Sequence, residues 1–278
     1  YYHGTNDVTD TETYSISAVT GEKITNQLDS ADMTYYGYDE MNMLSRSNWT
    51  GTWPEKIAIE ANDALMVDIN AYQSYKGIEG STTEMPTMGA DNGMTLGMMI
   101  GKDYDDPDWE KLLDQMTFEE QSYLLTNGMY TTVMVESVAK PDTKEHDGPT
   151  GTVKSKGELS MPSEGSWASS FNDELIKKVG EMLAEDARAA GDSGIYANAI
   201  NIHRMPFGGR SHEYFSEDPY LTAIAAVNEI QGIQSKGVIA NVKHIAFNDQ
   251  EAHRSGGSVW LNEQEAREIM LLPFEYAP

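Results

Sequence analysis

Residues 218–244 read Asp218-Pro-Tyr-Leu-Thr-Ala-Ile-Ala-Ala-Val-Asn-Glu-Ile-Gln-Gly-Ile-Gln-Ser-Lys-Gly-Val-Ile-Ala-Asn-Val-Lys-His244, and this stretch decides the fold. Asp218 followed by Pro219 is an N-cap with proline at the first helical position. Ala223, Val227 and Ile230 then recur at i, i+4 and i+7, the spacing of one helix face. Gly237 stands just past the end of that helix. The apolar run 238–242 comes next and stops at Lys243-His244. A capped amphipathic helix that turns into an apolar strand ending in polar groups is one unit of a parallel α/β sheet.

The same pattern extends upstream. Asn172 or Asp173 opens a helix with Leu175, Val179, Met182 and Leu183 inward and Gly191 closing it, and the apolar run 195–202 follows. Runs 195–202 and 238–242 are therefore expected as neighbouring parallel strands. Asp106-Pro107 starts another helix, with Trp109, Leu112, Leu113 and Met116 on one face. Thr117-Phe-Glu-Glu120 is a capping box for a short helix that Gly128 ends. Asp147 follows a segment placed as the first strand, although Thr143-Lys-Glu-His146 is polar for that role. Residues 80–106 read as mostly irregular, with turns at Asp91-Asn-Gly93 and from Lys102 to Pro107. Composition also changes near residue 108: 1–107 carries 5 Lys and Arg against 18 Asp and Glu, and 108–278 carries 14 against 27.

Composition removes several function classes. A formal net charge of −26 over 278 residues argues against a nucleic-acid partner, which needs a basic surface. No apolar run reaches the length of a membrane span. The first residues carry no initiator Met, basic n-region or apolar h-region, so no signal peptide is read there. Zero cysteines exclude disulfides and thiolate metal sites and fit either redox compartment. No G-x-x-x-x-G-K-[ST] loop occurs, and Gly232-Ile-Gln-Ser-Lys-Gly237 is a helix C-terminus. His146, His203, His212, His244 and His253 cluster in the second half of the chain, but without the H-E-x-x-H spacing of a catalytic zinc helix. No metal and no cofactor is expected.

The polar clusters carry the chemistry. They are Asp147-Gly-Pro-Thr-Gly151, then Asn201-Ile-His-Arg-Met-Pro-Phe-Gly-Gly-Arg210, then Glu213-Tyr-Phe-Ser-Glu-Asp-Pro219, then Lys243-His244, and then Asn248-Asp-Gln-Glu251 with Arg254. In this order and spacing they resemble the catalytic barrel of glycoside hydrolase family 3, densely from about Asp108 to Pro278 and thinly before it. The resemblance implies an α/β fold, a partial TIM-type (β/α)8 barrel preceded by an irregular region. Residues 1–107 would be an upstream linker or inter-domain region and 108–278 the N-terminal half of the barrel domain. It implies that Asp147, Arg210, Lys243 and His244 bind the substrate's terminal sugar at the C-terminal strand ends, where barrel chemistry collects. Arg204 is read as structural, Asp218 as a helix cap, and Glu213 and Glu217 as partners of nearby arginines. Lys154 stands near where relatives carry an arginine. Ile245-Ala-Phe247 replaces the Pro-Gly-His loop of the N-acetylhexosaminidase branch, which points to the glucosidase and xylosidase branch.

The activity implied is retaining hydrolysis of terminal non-reducing β-D-glucosyl or β-xylosyl residues, with an oligosaccharide or β-glycoside as partner. Neither nucleic acid nor a membrane is expected as a partner, and a homo-oligomer through the parent protein is left open. Retention needs two carboxyl groups about 5–5.5 Å apart. The family's nucleophile is an aspartate before tryptophan, on a strand after the Lys-His strand. After His244 this chain offers only Asp249, and Asp108-Trp109 is a decoy at a helix start. In most members of that family the acid/base comes from a separate α/β domain. Leu44-Ser-Arg-Ser-Asn-Trp49 and Gly51-Thr-Trp-Pro54 resemble the linker of members whose domain order is reversed. The chain is thus expected to be an internal piece lacking its nucleophile, inactive alone. A non-catalytic carbohydrate-binding barrel and a metal-dependent hydrolase are the alternatives.

Overall fold

The computed structural model describes residues 60–70, 84–128, 130–151, 160–204, 208–252, 254, 259, 261 and 263–277. Residues 44–49, 51–54, 153–154, 205–207 and 253, on which parts of the reading above fall, lie outside the described residues. Helix α1 is Asp63–Asn70. Residues 84–107 are irregular apart from one 3-10 turn, Leu96–Met99, as their turn signals predict.

Helix α2, Asp108–Gln115, starts directly after Pro107, and the Asp106 carboxylate accepts the Asp108 N–H at 2.9 Å. Leu112 and Met116 are buried with Met99, Val135 and Val138, and Trp109 packs against them. Leu113, expected inward, is 49% exposed. It lies about 100° round the helix from Leu112, beyond the edge of the buried stripe. Helix α3, Phe118–Thr126, has the full capping box. Thr117 Oγ1 accepts the Glu120 N–H at 3.1 Å, and Glu120 Oε2 accepts the Thr117 N–H at 3.0 Å. Glu120 Oε1 also accepts the Ser137 N–H at 3.0 Å, tying α3 to the next turn. Thr117→Ala is expected to cost about 1 kcal/mol, read as a lower denaturant midpoint at unchanged m-value. An unshifted midpoint would mean the cap contributes nothing to stability.

Strands β1 (Glu145–Asp147), β2 (Gly194–Tyr196) and β3 (Ile239–Ala240) form a parallel sheet in that order. Glu145 aligns with Gly194 and Asp147 with Tyr196, and Gly194 aligns with Ile239. The runs 195–202 and 238–242 are thus neighbouring and parallel, as expected. The regular strands are shorter than the runs, because beyond Tyr196 and Ala240 a single bridge, Ala199 to Lys243, continues the pairing.

After the short helix α4, Glu164–Ala168, the long helices α5, Asp173–Ala190, and α6, Pro219–Ser235, connect the strands. Asn172 caps α5 by accepting the Leu175 N–H at 3.0 Å, and Asp218 caps α6 by accepting the Leu221 N–H at 2.7 Å. One cluster joins both helices to one face of the sheet: Ile176, Val179, Leu183, Ala184, Ala226 and Ile233 meet Ile195, Ala197 and Val238. Leu175 and Met182, expected inward, are 45% and 53% exposed. The buried stripe is centred instead on Gly180, flanked by Ile176 and Leu183.

That centring follows from how closely the two helices cross. A Cβ on Gly180 would stand 2.3 Å from the Glu229 carbonyl oxygen, and one on Gly232 would stand 2.1 Å from the Lys177 carbonyl oxygen. Both contacts are backbone and cannot yield without separating the helices. The C-terminal elements are α7 (Glu263–Glu265), running into a π turn (Ala266–Met270), and α8 (Leu272–Tyr276). Tyr276 meets Tyr220 edge to face, which docks α8 on α6. The protein is α/β, and its described residues form part of a TIM-type (β/α)8 barrel.

Candidate functional site

β1 is polar because its side chains bond to partners on both sides of the sheet. Glu145 is 4% exposed and accepts from Tyr196 Oη at 2.7 Å, from Asn241 Nδ2 at 3.3 Å and from Thr143 Oγ1 at 3.3 Å. His146 Nδ1 lies 2.6 Å from Asp192 Oδ1. The face opposite α5 and α6 is therefore lined by a polar layer, Glu145, Tyr196 and Asn241, one residue from each strand or its extension. Asp147 stands at the C-terminal end of β1, level with Tyr196.

Lys243 and His244 stand just past β3, held by residues that extend β2. The Lys243 N–H donates to the Asn198 carbonyl at 2.9 Å, and the Ile200 N–H donates to the Lys243 carbonyl at 2.8 Å. Asn201 clamps His244 with two bonds: its Oδ1 accepts the His244 N–H at 2.7 Å and its Nδ2 donates to the His244 carbonyl at 2.9 Å. The Lys243–His244 and Ile245–Ala246 peptide bonds are cis. Lys243, 9% exposed in its side chain, reaches across β2 and places Nζ 2.6 Å from Asp147 Oδ1 and 3.5 Å from Glu213 Oε2. Asp147 is 43% exposed, so its carboxylate stays open above that bridge.

Arg210 joins from the loop before a 3-10 turn, Ser211–Glu213, and its Nε donates to Glu213 Oε1. Burial works against the Glu213 charge, but the Arg210 bond and the Lys243 charge outweigh it and hold that carboxyl below its ordinary range. Glu213 thus pairs with an arginine as expected, whereas Glu217 is exposed. Arg204 faces away from this group: Nη1 binds Asp249 Oδ2 at 2.8 Å and Nε lies 3.3 Å from Glu265 Oε1, a loop-holding role as expected. Tyr214, 2% exposed, sets its hydroxyl 3.4 Å from His244 Nδ1 and accepts from Asn248 Nδ2 at 3.2 Å. Burial, then the Arg210 charge, pushes the His244 imidazole down to about 4. It is neutral near pH 7, with one nitrogen to donate and one to accept.

Asp147, Arg210, Lys243 and His244 line one cavity of about 330 Å³, together with Tyr130, Tyr196 and Arg254. The cavity offers an anionic acceptor, cationic donors and a neutral imidazole in one place, with two tyrosine rings meeting edge to face at a centroid distance of 5.6 Å. Several oriented polar groups over an aromatic wall suit a small polyhydroxylated ring. Tyr130 and Tyr196 were not singled out from sequence. Tyr196 was readable in principle: it follows Ile195 in an apolar run, so alternation places it on the face opposite the helices. Tyr130 lies in a segment without periodicity and gave no such signal.

The sequence matches the family model described as glycosyl hydrolase family 3 N terminal domain over residues 116–277. It is 39% identical over 176 residues to a beta-glucosidase of Rhizobium radiobacter, covering 60% of this chain and 21% of that protein. It is 36% identical over 183 residues to thermostable beta-glucosidase B of Acetivibrio thermocellus, covering 61% of this chain and 24% of that one. Among solved structures it is similar to a beta-glucosidase from Kluyveromyces marxianus in complex with glucose. That match has a TM-score of 0.58 and 33% identity, and covers 60% of this chain and 21% of the other. The chain spans about a fifth to a quarter of the length of these relatives.

Proposed function

The chain belongs to glycosyl hydrolase family 3, and from that premise we propose that the protein containing it removes terminal non-reducing β-D-glucosyl or β-xylosyl residues from glycosides with retention. The single observation that carries the reading is the meeting of Asp147, Arg210, Lys243 and His244 in one cavity at the strand ends. These residues come from three separate segments of the chain, and a sugar's adjacent hydroxyls need that convergence. The glucose complex of the similar Kluyveromyces protein and the beta-glucosidases among the relatives support glucose as the ring. In this reading Asp147 accepts hydroxyl protons, Lys243 and Arg210 donate to hydroxyl oxygens, and His244 does either. No cofactor takes part.

The barrel segment is taken to begin near Asp108, because α2 packs with residues 135 and 138, and 1–107 is taken as a linker or inter-domain region. The nucleophile and the acid/base are assigned to parts of the protein outside this chain. Asp249, the one aspartate after His244, is bonded to Arg204 and only 7% exposed, so it is in no position to attack an anomeric carbon. The test is an assay with aryl β-D-glucoside and β-D-xyloside, reading the anomer released by proton NMR. The full-length protein is expected to turn over at least one of them with retention, and the isolated chain neither. Sugar binding without turnover by the full-length protein would favour the non-catalytic barrel. Turnover by the isolated chain would show that the nucleophile lies within it.

A further inference from the structure

Glu164 in α4 and Glu229 in α6 are fully buried behind the strand ends, outside the cavity. The Lys243 charge acts on both, but the ammonium itself contacts Asp147 and Glu213. Two ionised carboxylates buried near each other without a cation in contact are far more costly than two that hold a proton. The hydrogen bonds point the same way. Glu164 Oε2, Glu229 Oε1 and Asn198 Oδ1 are buried without a partner. All three are acceptor oxygens, and a proton on a carboxyl turns one of its oxygens from an acceptor into a donor.

What the two carboxyls hold ties them to the site. Glu229 Oε2 accepts from Asn198 Nδ2, and Glu164 Oε1 accepts the Ala199 N–H at 3.3 Å. The Asn198 carbonyl in turn accepts the Lys243 N–H, Ala199 forms the parallel bridge with Lys243, and the Ile200 N–H donates to the Lys243 carbonyl. Residues 198–200 are therefore the cradle of Lys243, and two of the three are fastened from behind by buried carboxyls. We infer that Glu164 and Glu229 are positioning residues, a protonated carboxyl pair that fixes, through Asn198 and Ala199, the backbone from which Lys243 reaches Asp147. The consequence for catalysis rests on the glycosidase reading; the structural content does not.

The pair has a direction in pH. Burial raises Glu229 to about 8, against the Asn198 bond and the Lys243 charge, which lower it. Burial and then the Glu229 charge raise Glu164 well above the carboxylate range, with Glu213 adding to the repulsion and Lys243 relieving it. An acid whose pKa is higher folded than unfolded weakens the fold as pH climbs from its unfolded value to its folded one. Stability should therefore fall as pH climbs from the ordinary glutamate range toward about 8, and near about 8 the folded pair itself charges and the cradle loosens.

The test is hydrogen exchange of the peptide covering residues 239–246 in the full-length protein, at about pH 6 and about pH 9.5, corrected for intrinsic rates. Wild type should lose roughly tenfold protection there at the higher pH. Glu229→Gln, which keeps an acceptor for Asn198 without a charge, should stay protected at both, and Glu229→Leu should be unprotected at both. The alkaline limb of kcat/KM for a glycoside should move upward in Glu229→Gln. Peptides from α2 and α3 report global folding, and if the Leu variant does not fold, wild type against Gln decides. The same pH response in wild type and Glu229→Gln, or protection surviving Glu229→Leu, would overturn the inference. So would a stoichiometric metal ion released by Glu229→Gln, since a cation would then be satisfying the pair. Absence of glycoside turnover with this exchange pattern intact would remove the glycosidase reading and leave the positioning pair standing.

Discussion

Replacing Asp147 by Ala in the full-length protein is expected to lower kcat/KM for a β-glucoside by about two to four orders of magnitude. Hydrogen bonds to a charged group contribute about 1.5–3 kcal/mol each, and a carboxylate over a sugar ring makes two. Contacts remote from the reacting bond feed transition-state binding, so kcat should fall and not KM alone rise. The fold should survive, because Lys243 keeps Glu213 within 3.5 Å when Asp147 is gone and Asp147 itself is 43% exposed. Circular dichroism checks that point. Asp147→Asn keeps neutral hydrogen bonding and should retain more activity than Asp147→Ala. An Ala variant within about tenfold of wild type would mean that the cavity is not the sugar site.

The second large effect is on stability, and two principles disagree about its sign. Gly232→Ala replaces glycine inside α6, where helix propensity alone favours alanine by about 1 kcal/mol. The added methyl, however, would stand 2.1 Å from the Lys177 carbonyl oxygen and 2.9 Å from the Glu181 nitrogen. Overpacking against side chains costs about 1–3 kcal/mol. Here the obstacles are backbone on α5, so the two longest helices must part along their whole contact. A net loss of more than about 3 kcal/mol is expected, with Gly180→Ala similar because its methyl meets the Glu229 carbonyl at 2.3 Å. Chemical denaturation measures both. A stabilised Gly232→Ala protein would show that propensity outweighs the crossing.

Legibility from sequence followed the kind of signal each element carries. Caps are local, so Thr117, Asn172 and Asp218 could be placed from a few letters, and each bonds as expected. The sheet was readable from its two apolar runs, and β1 less so, because Glu145 and His146 are held by partners distant in sequence. The inward faces were missed at Leu113, Leu175 and Met182 for a different reason. Apolar letters mark where a helix could face, while the site of closest approach, Gly180 against α6, decides where it does. The convergence of Asp147, Arg210, Lys243 and His244 came through the family resemblance and not through periodicity. Glu164 and Glu229 gave no warning, since a glutamate in a helix ordinarily reads as a solvated residue.

Asp147 and Lys243 are bonded across 96 residues of chain, with β2 lying between the strands that carry them. Closing so long a loop has an entropic cost that the bond itself cannot offset. A contact of such long sequence separation is expected to form after the local helices, late in folding. During synthesis, a chain whose residue 243 has not yet left the ribosome presents Asp147 as a lone surface carboxylate. On the proposed sugar-binding role of this cavity, affinity for a sugar analogue is expected to appear only with the third strand in place, so such an analogue would report its pairing.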